Sequence, residues 1–557
     1  MHILRGAVLL LLSLPTLFGE SKVLDILSQE LNRNFRILKE KADPPAYFIS
    51  YEVTEEDSHR ISAALGALTA ESSGVTRYLD VSLRTGDHKL DNYHRVRGER
   101  ANITSGARIS IEDEPAAIKQ QVWLETDRAY RAAAERLIKI HSNEKMRVAA
   151  EDPSDDFSSE KPSVHSEPPR TMHVDTALWT ERVRRLSSAF DRYPEILVSG
   201  VTLNTERETR YFVNTEGSRL EHGRNFVRVS ISAEGRADDG MNLATFESFD
   251  AVDPAGLPTQ EVLAGAVDHV AKDLVALLHA PVVDPYLGPA IFSGRASGVF
   301  FHEIFGHRVE GHRQKDEGEG QTFTKSLGKS VLPDFLSVIF DPTLHKFQGT
   351  DLNGWYSYDD EGIVGQRFTA VDHGILKAFL MSRSPINGFD HSNGHGRRQP
   401  GLEPVSRQSN LLVDSTKTVP DARLREMLIE EVKRQNKPYG LFFKEVTGGF
   451  TTTARAGMQA FKVLPVLVYR VYPDGKPDEL VRGVDIVGTP LASFAKILAT
   501  SDQMEVFNGY CGAESGMVPV SAISPAILVS EIEIEKKDKS QDKPPLLPFP
   551  RDADSTN

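Results

Sequence analysis

Residues 300–314 read FFHEIFGHRVEGHRQ and gather three histidines, His302, His307 and His312, with two glutamates, Glu303 and Glu310. Imidazole nitrogens and carboxylate oxygens are the donors that hold zinc. The familiar helical zinc signature is H-E-x-x-H, whose histidines lie four apart on one face. Here His302 and His307 are five apart. At about 100° per residue the two side chains diverge by about 140°, so a regular helix cannot aim both at one ion. One extra residue in the turn repairs this, because a π-bulge brings residues five apart nearly into line. Gly306 lies inside that turn, where its backbone makes distortion cheaper. The spacing predicts a bulged or kinked helix over residues 304–306, with both histidines converging.

Glu303 follows the first histidine, the position from which a carboxylate serves as general base toward metal-activated water. Zinc lowers the pKa of that water to about 7, within reach of a nearby carboxylate. A third ligand is still needed. His312 is five residues beyond His307, and Glu310 is nearer. Cys511, the chain's single cysteine, lies in NGYCGAESGMVPVS, a Gly-rich loop before an expected strand. It cannot form an internal disulfide, and a thiolate is a tight, soft ligand. On chemistry alone Cys511 ranks only slightly ahead of Glu310. The competing reading is a solvated histidine cluster and a buried, inert thiol.

The elements that must position these groups show in the hydrophobic pattern. Val23 to Lys41 has helical spacing, and AYFISYEVTEED and TRYLDVSLRTG alternate as strands. A helix runs from near Pro115 to about Ile140, with proline at its first turn. Residues 151–170, EDPSDDFSSEKPSVHSEPPR, are rich in Pro, Ser and acids and are expected to form a mobile linker. A helix and a strand pair follow, then an amphipathic helix from Val262 to Leu278. From Pro285 onward strand-like runs dominate, with the histidine helix at their centre and a short helix near Leu491 to Ala499. The expected fold class is α+β: an N-terminal α+β domain over 20–284 and a β-rich C-terminal domain over 285–535 carrying a metal-binding helix.

The ends and the charge bound the function. The first residues, MHILRGAVLLLLSLPTLFGES, place Arg5 before a short apolar run and Gly19 at a cleavage point. This reads as a signal peptide over 1–19, or else as an uncleaved anchor. An exported protein, periplasmic or secreted, is expected. The last stretch, 536–557, lacks core residues and reads as a disordered tail. A net charge of -14 argues against a general nucleic-acid binder.

Several segments, taken in order, resemble the TldD/PmbA zinc metallopeptidase family, also called the modulator of DNA gyrase family. HEIFGHRVEG is similar to its H-E-x-x-G-H segment. YSYDDEGIVGQRFTAVDHGILKAFLMSR is similar to its D-D-E-G segment, SNGHGRRQPGLEPVSRQSNLLV to its Gly/Arg loop, VTGGFTTTARAGMQAF to its paired glycines, and GYCGAESGMVPVSAISPAILVSEIEI to its C-G segment. The match runs over about 200–535. The resemblance implies His302, His307 and Cys511 as zinc ligands and Glu303 as catalytic base. It implies two domains and a homodimer, or a heterodimer with a related subunit, enclosing a cavity open to peptides. The family carries an acidic residue where this chain has His312, and its members are usually cytosolic, a point from which the signal peptide departs.

The function expected is an exported zinc metallopeptidase acting on peptides or unfolded segments, without stable membrane insertion after signal cleavage. The alternatives are a non-catalytic metal-binding subunit of a peptidase-like complex and a zinc hydrolase of non-peptide amides. Gly448 and Gly449 could admit a substrate backbone or form a bulge. His391, His395, Arg397 and Arg398 could gate a cleft, bind a carboxylate or make an exposed polar loop. Asp359, Asp360 and Glu361 could orient ligands or cap a turn.

Overall fold

The structure, a computed structural model, describes residues 21–96, 99–144, 152–456, 461–488, 493–537, 543–545 and 547. The expected signal peptide and most of the expected tail lie outside the described residues. Among the described residues no helix is long and apolar enough to cross a membrane.

The helix Lys22–Lys41 begins at Ser21, whose side chain accepts from the Leu24 N–H, and buries Val23, Leu24, Ile26, Leu27 and Leu31 along one face. That stripe packs with Ile118 and Val122 of the helix Pro115–Glu144 onto Tyr51, Val53, Leu79 and Val81 of a sheet. The sheet is antiparallel, in the order Ala67–Thr85, Ala46–Ala64, Val198–Asn214, Arg219–Arg236 and Asn242–Ala251. One sheet thus unites strands from both sides of the stretch at 151–170, with Tyr51 opposite Val213. The helices Thr176–Ser187 and Gln260–His279 cover another part of it, over Ile61, Leu203, Val229 and Ile231.

The stretch expected to be a mobile linker is, over its described part, a packed strap. Phe157 is buried, with the Arg84 and Arg383 guanidiniums 3.6 and 3.9 Å from its ring centre. The Ser158 N–H donates to the Arg383 carbonyl at 2.9 Å and the Asp156 N–H to that of His88 at 2.9 Å. Composition pointed to disorder, but one aromatic anchor and partners on both halves hold the backbone.

In the C-terminal half five strands close a ring. Gly516–Lys536 pairs with Val484–Gly488, that with Phe461–Val471, that with Gly440–Thr451, that with Tyr286–Phe292, and this last returns to Gly516–Lys536. Closure leaves few free edges, as in a small barrel. Leu336–Phe340, Phe368–Asp372 and Asn410–Ser415 extend the sheet beyond the ring. The helix Gly294–Ile304 follows the strand Tyr286–Phe292 directly and is buried almost throughout. Phe300 packs among Phe292, Phe461 and Phe494. A helix apolar on nearly all sides belongs in such a core.

Three expectations change. The amphipathic helix Asp421–Arg434 escaped the sequence reading, although Leu424, Leu428 and Val432 recur every four residues after Pro420. The short helix expected at 491–499 lies partly outside the described residues, and from Ile497 the chain is strand. Cys511 lies near the end of the strand Ile497–Ala513, paired with Val518, and not in a loop.

The candidate metal centre

The helix carrying His302 and Glu303 stops at Ile304, and Phe305 caps it with a stretched helical conformation, φ −105°, ψ −53°, its N–H still donating to the Phe301 carbonyl. Residues Gly306–Val309 continue as a tighter 3-10 turn that presents His307. The expected distortion is therefore present as a break from α to 3-10 helix, and not as a π-bulge. Gly306 also serves another purpose than flexibility. A Cβ there would lie 2.0 Å from Gln408 Oε1, so glycine admits a side chain that closes over the break. Gln408 Nε2 donates to the His302 carbonyl at 3.2 Å. Arg308 donates to the Glu303 and Ile304 carbonyls at 3.2 and 3.0 Å. These buried donors satisfy carbonyls orphaned at the helix end.

The break brings His302, His307 and Cys511 together. Their donor atoms all lie within 4.8 Å of one another, and all three residues are buried. His302 Nε2 is 3.2 Å from Cys511 Sγ, and His307 Nε2 is 3.4 Å from it. Ligands of a tetrahedral zinc, with bonds of about 2.0–2.3 Å, stand about 3.5 Å apart. The two nitrogens and one sulfur fit a four-coordinate ion of that size. Burial would push the Cys511 thiol up, but His307, His302 and Arg407 outweigh it and hold the thiol well below its usual range. These neighbours favour the thiolate, the form that ligates metal. Burial opposes a charge on His307, yet Cys511 and Glu310 raise its pKa well above the usual value. An arriving cation would displace that proton.

Glu310, the alternative third ligand, sits behind the site. Its Oε1 is 3.2 Å from His307 Nδ1, on the ring edge away from Cys511, and its other oxygen accepts from Arg313 Nε at 2.7 Å. Burial disfavours its charge, but His307 and Arg313 bring its pKa down to about 2. A carboxylate on the far nitrogen fixes the ring's orientation. His312 turns away: its Nε2 is 2.5 Å from Glu514 Oε1, next to the turn after Cys511. Burial holds His312 down at about 4, so it is neutral and donates to Glu514. Arg313 and Arg100 face the same carboxylate and keep it ionised. Arg407, fully buried, donates to the Cys511 carbonyl at 2.5 Å and to Ser515 Oγ at 2.8 Å, fixing the hairpin that carries the cysteine. Arg407, Gln408 and Glu514 lie in segments that resemble the family, but nothing in their types or spacing singled them out.

Glu303 borders two hollows. One, of about 430 Å3, is lined by His302, Glu303, Gly448, Gly449, Ser230 and Tyr510 among others. The second, of about 290 Å3, shares His302, Glu303, Gly449 and Tyr510 and adds His307, Cys511 and Phe450. Glu303 Oε2 is 3.9 Å from His307 Nε2. Burial pushes the Glu303 carboxyl up, and the two histidines oppose it. The strand is bulged just before the paired glycines, between Val446 and Gly448, while Gly448 and Gly449 pair in register with Leu464 and Val463. A Cβ on Gly449 would stand 2.7 Å from Glu303 Cγ, so this glycine makes room for the glutamate.

Other candidates lie elsewhere. His395, Arg397 and Arg398 are buried, not an exposed loop, and only His391 reaches solvent. Arg398 pairs with Glu52 at 3.1 Å, joining the two halves, and Arg397 donates to the Gln408 and Pro519 carbonyls at 2.7 Å. These contacts hold the cations in the frame rather than at a gate. Asp359 caps its own turn, accepting from Glu361, Ile363 and Gly396 N–H groups. Asp360 accepts from the Arg398 N–H and Glu361 from that of Arg383.

Two histidines and a cysteine beside a buried carboxylate, on a broken helix packed against the barrel strands, form a cluster that could hold a metal ion. Residues 286–536 match the PmbA/TldA metallopeptidase C-terminal domain and 167–278 its central domain. The chain belongs to this PmbA/TldD metallopeptidase family. It is 29% identical over 320 residues to a metalloprotease from Archaeoglobus fulgidus, covering 56% of this chain and 67% of the relative. It is 26% identical over 249 residues to a zinc metalloprotease TldD homolog from Saccharolobus solfataricus, covering 44% and 51%. Such matches span about half to two thirds of the curated relatives' length. TldE from Thermococcus kodakarensis shares the fold at 14% identity, with a TM-score of 0.61 over 92% of this chain and 100% of that one.

Proposed function

We propose that this protein is a zinc peptidase that cleaves extended or unfolded peptides, with His302, His307 and Cys511 holding the ion and Glu303 as general base. The observation that carries this is the convergence of two imidazoles and the single cysteine beside a buried carboxylate, at the wall shared by two hollows. Bound zinc supplies a Lewis acid and lowers the pKa of water to about 7. Glu303 takes the water's proton on its carboxylate and later returns it to the leaving amine. Burial raises the Glu303 carboxyl above its ordinary value, against the two histidines, the direction that favours accepting a proton. Glu310 holds His307 by Nδ1, so that Nε2 faces the ion.

The strand Gly440–Thr451 pairs with Tyr286–Phe292 only over Leu441–Phe443. Beyond that its edge turns toward the hollows at Gly448 and Gly449, a place for a peptide backbone to add as a strand. Folded proteins have no free strand to offer there, which favours unfolded segments. We further propose that residues 1–19 act as an export leader, and that the protein works as a homodimer or with a related chain.

The test is zinc content together with cleavage of an unfolded-peptide library. Wild type should hold one zinc per chain and cut peptides. Glu303→Gln should keep the zinc and lose cleavage by 100-fold or more, about the effect of removing a general base. Cys511→Ala should lose zinc. Zinc-loaded wild type that cuts no peptide refutes the reading and favours a metal-binding subunit or a hydrolase of other amides.

A further inference from the structure

The hollow at Glu303 does not end at the metal cluster. We propose that its continuation on the Thr447 side is a remote apolar subsite for an extended polypeptide substrate, an inference that rests on the peptidase reading. Thr447 lines both the hollow at His302 and Glu303 and a further one of about 450 Å3 between the two halves of the molecule. The further hollow takes Leu464 and Val466 from the barrel, and Leu197, Val198 and Leu243 from the N-terminal half. Leu197 and Val198 are 44% and 59% exposed, unusual for side chains in a crease between two domains. These apolar side chains share the concave place with Glu234, Arg236, Asn242, Arg482 and Lys537, the mix of apolar lining and a few polar groups that a ligand site carries.

The sheet explains the opening. The strand Phe461–Val471 pairs with Val484–Gly488 only over Phe461–Val463, and with Glu479–Val481 only over Val468–Arg470. Between these contacts, at 464–467, the two partners part, and the apolar faces of Leu464 and Val466 open toward the Leu243 strand. Thr447 Oγ1 donates to the Leu464 carbonyl at 3.3 Å, tying the opening to the bulged strand beside Glu303.

Spacing sets the register. Thr447 is two strand positions from Gly449, which touches Glu303, a distance of about 7 Å at 3.3 Å per residue. A substrate lying extended across Glu303 therefore reaches the further hollow about two residues from the bond to be cut. The hollow would take one Leu- or Phe-sized side chain there, fixing which bond faces Glu303. The cleaved bond is then chosen by a residue at a distance and not only by its immediate neighbours.

The test uses full-length protein and labelled dodecapeptides of Gly, Ser and Asn, with or without one central leucine. Binding is read by fluorescence anisotropy on the Glu303→Gln protein, so that no turnover intervenes. The leucine peptide should bind at least tenfold tighter, the scale of burying one such side chain. Val466→Asp and Leu243→Asp, on separate domains and at half-buried positions, should each erase that difference. Equal binding of the two peptides, or a leucine preference that survives both substitutions, overturns the subsite. With zinc-loaded wild type, mass spectrometry should find the cut at a constant distance from the leucine as the residue is moved. Cuts that ignore its position also overturn the proposal. A leucine preference in binding that Val466→Asp erases, with no cleavage by wild type, upholds the subsite and refutes the peptidase reading instead.

Discussion

Gly449→Ala tests most directly whether Glu303 acts from where it stands. The added Cβ would meet Glu303 Cγ at 2.7 Å, its Cδ at 3.2 Å and the Lys462 carbonyl oxygen at 2.9 Å. Carbon atoms in contact settle at about 3.5–4.0 Å, so the carboxylate stem must give way by about 1 Å. The Lys462 carbonyl belongs to the paired strand and cannot retreat without parting the ladder. The side chain of Glu303 therefore moves, into the hollows it borders. A displacement of about 1 Å in a reacting group lowers rate by about 100-fold. The three atoms nearest the Cβ belong to Glu303 and Lys462 and not to a histidine or Cys511, so zinc content should be unchanged. Overpacking should also lower stability by about 1–3 kcal/mol. The assay is kcat/KM on an unfolded peptide, with zinc per chain and urea denaturation measured on the same preparation. A Gly449→Ala protein that keeps zinc, stays folded and retains full kcat/KM would refute Glu303 as the base at this position.

Glu310→Gln should loosen His307 and weaken zinc affinity by about 10–100-fold, the usual effect of losing a ligand's outer partner, read by competition with a chelator. The same carboxylate gives a pH signature in metal-free protein. Its folded pKa, about 2, lies below the ordinary value of 4.5, so its stabilisation is present above about 4.5 and is lost as pH falls toward 2. Urea unfolding at pH 5 and pH 3 should show a smaller acid loss in Glu310→Gln than in wild type. Arg398→Met should destabilise the protein by about 3 kcal/mol, because Glu52 and Asp80 stay buried with one guanidinium fewer. Denaturant midpoints of Arg398→Met and of the exposed-pair control Arg131→Met should differ accordingly, and equal midpoints would show that Arg398 does not join the halves.

What the sequence determined by itself is local. His302, Glu303 and His307 fall within six residues, and their five-residue spacing alone demanded a broken helix. Ser21 with the apolar stripe of Lys22–Lys41, and the alternation along Ala46–Ala64, set those elements because periods of 3.6 and 2 are written in the side chains. The helix Asp421–Arg434 is equally local, with Leu424, Leu428 and Val432 on one face after Pro420. The tertiary structure decided what depends on register between distant strands. Cys511 reaches His302 across 209 residues only because Ile497–Ala513 pairs with the barrel strand that packs on the histidine helix. Chemistry alone left Glu310 and Cys511 nearly equal as donors, and only the direction of the His307 ring separates them: Nε2 faces the thiol and Nδ1 faces the carboxylate. In the same way Gly306 reads in sequence as a place of cheap distortion and Gly449 as a bulge or a substrate approach, and packing shows them to be clearances for Gln408 and Glu303. A residue's type limits the chemistry it can do, but which atoms it meets is set by long-range closure of the sheet, for which no short stretch carries a signal.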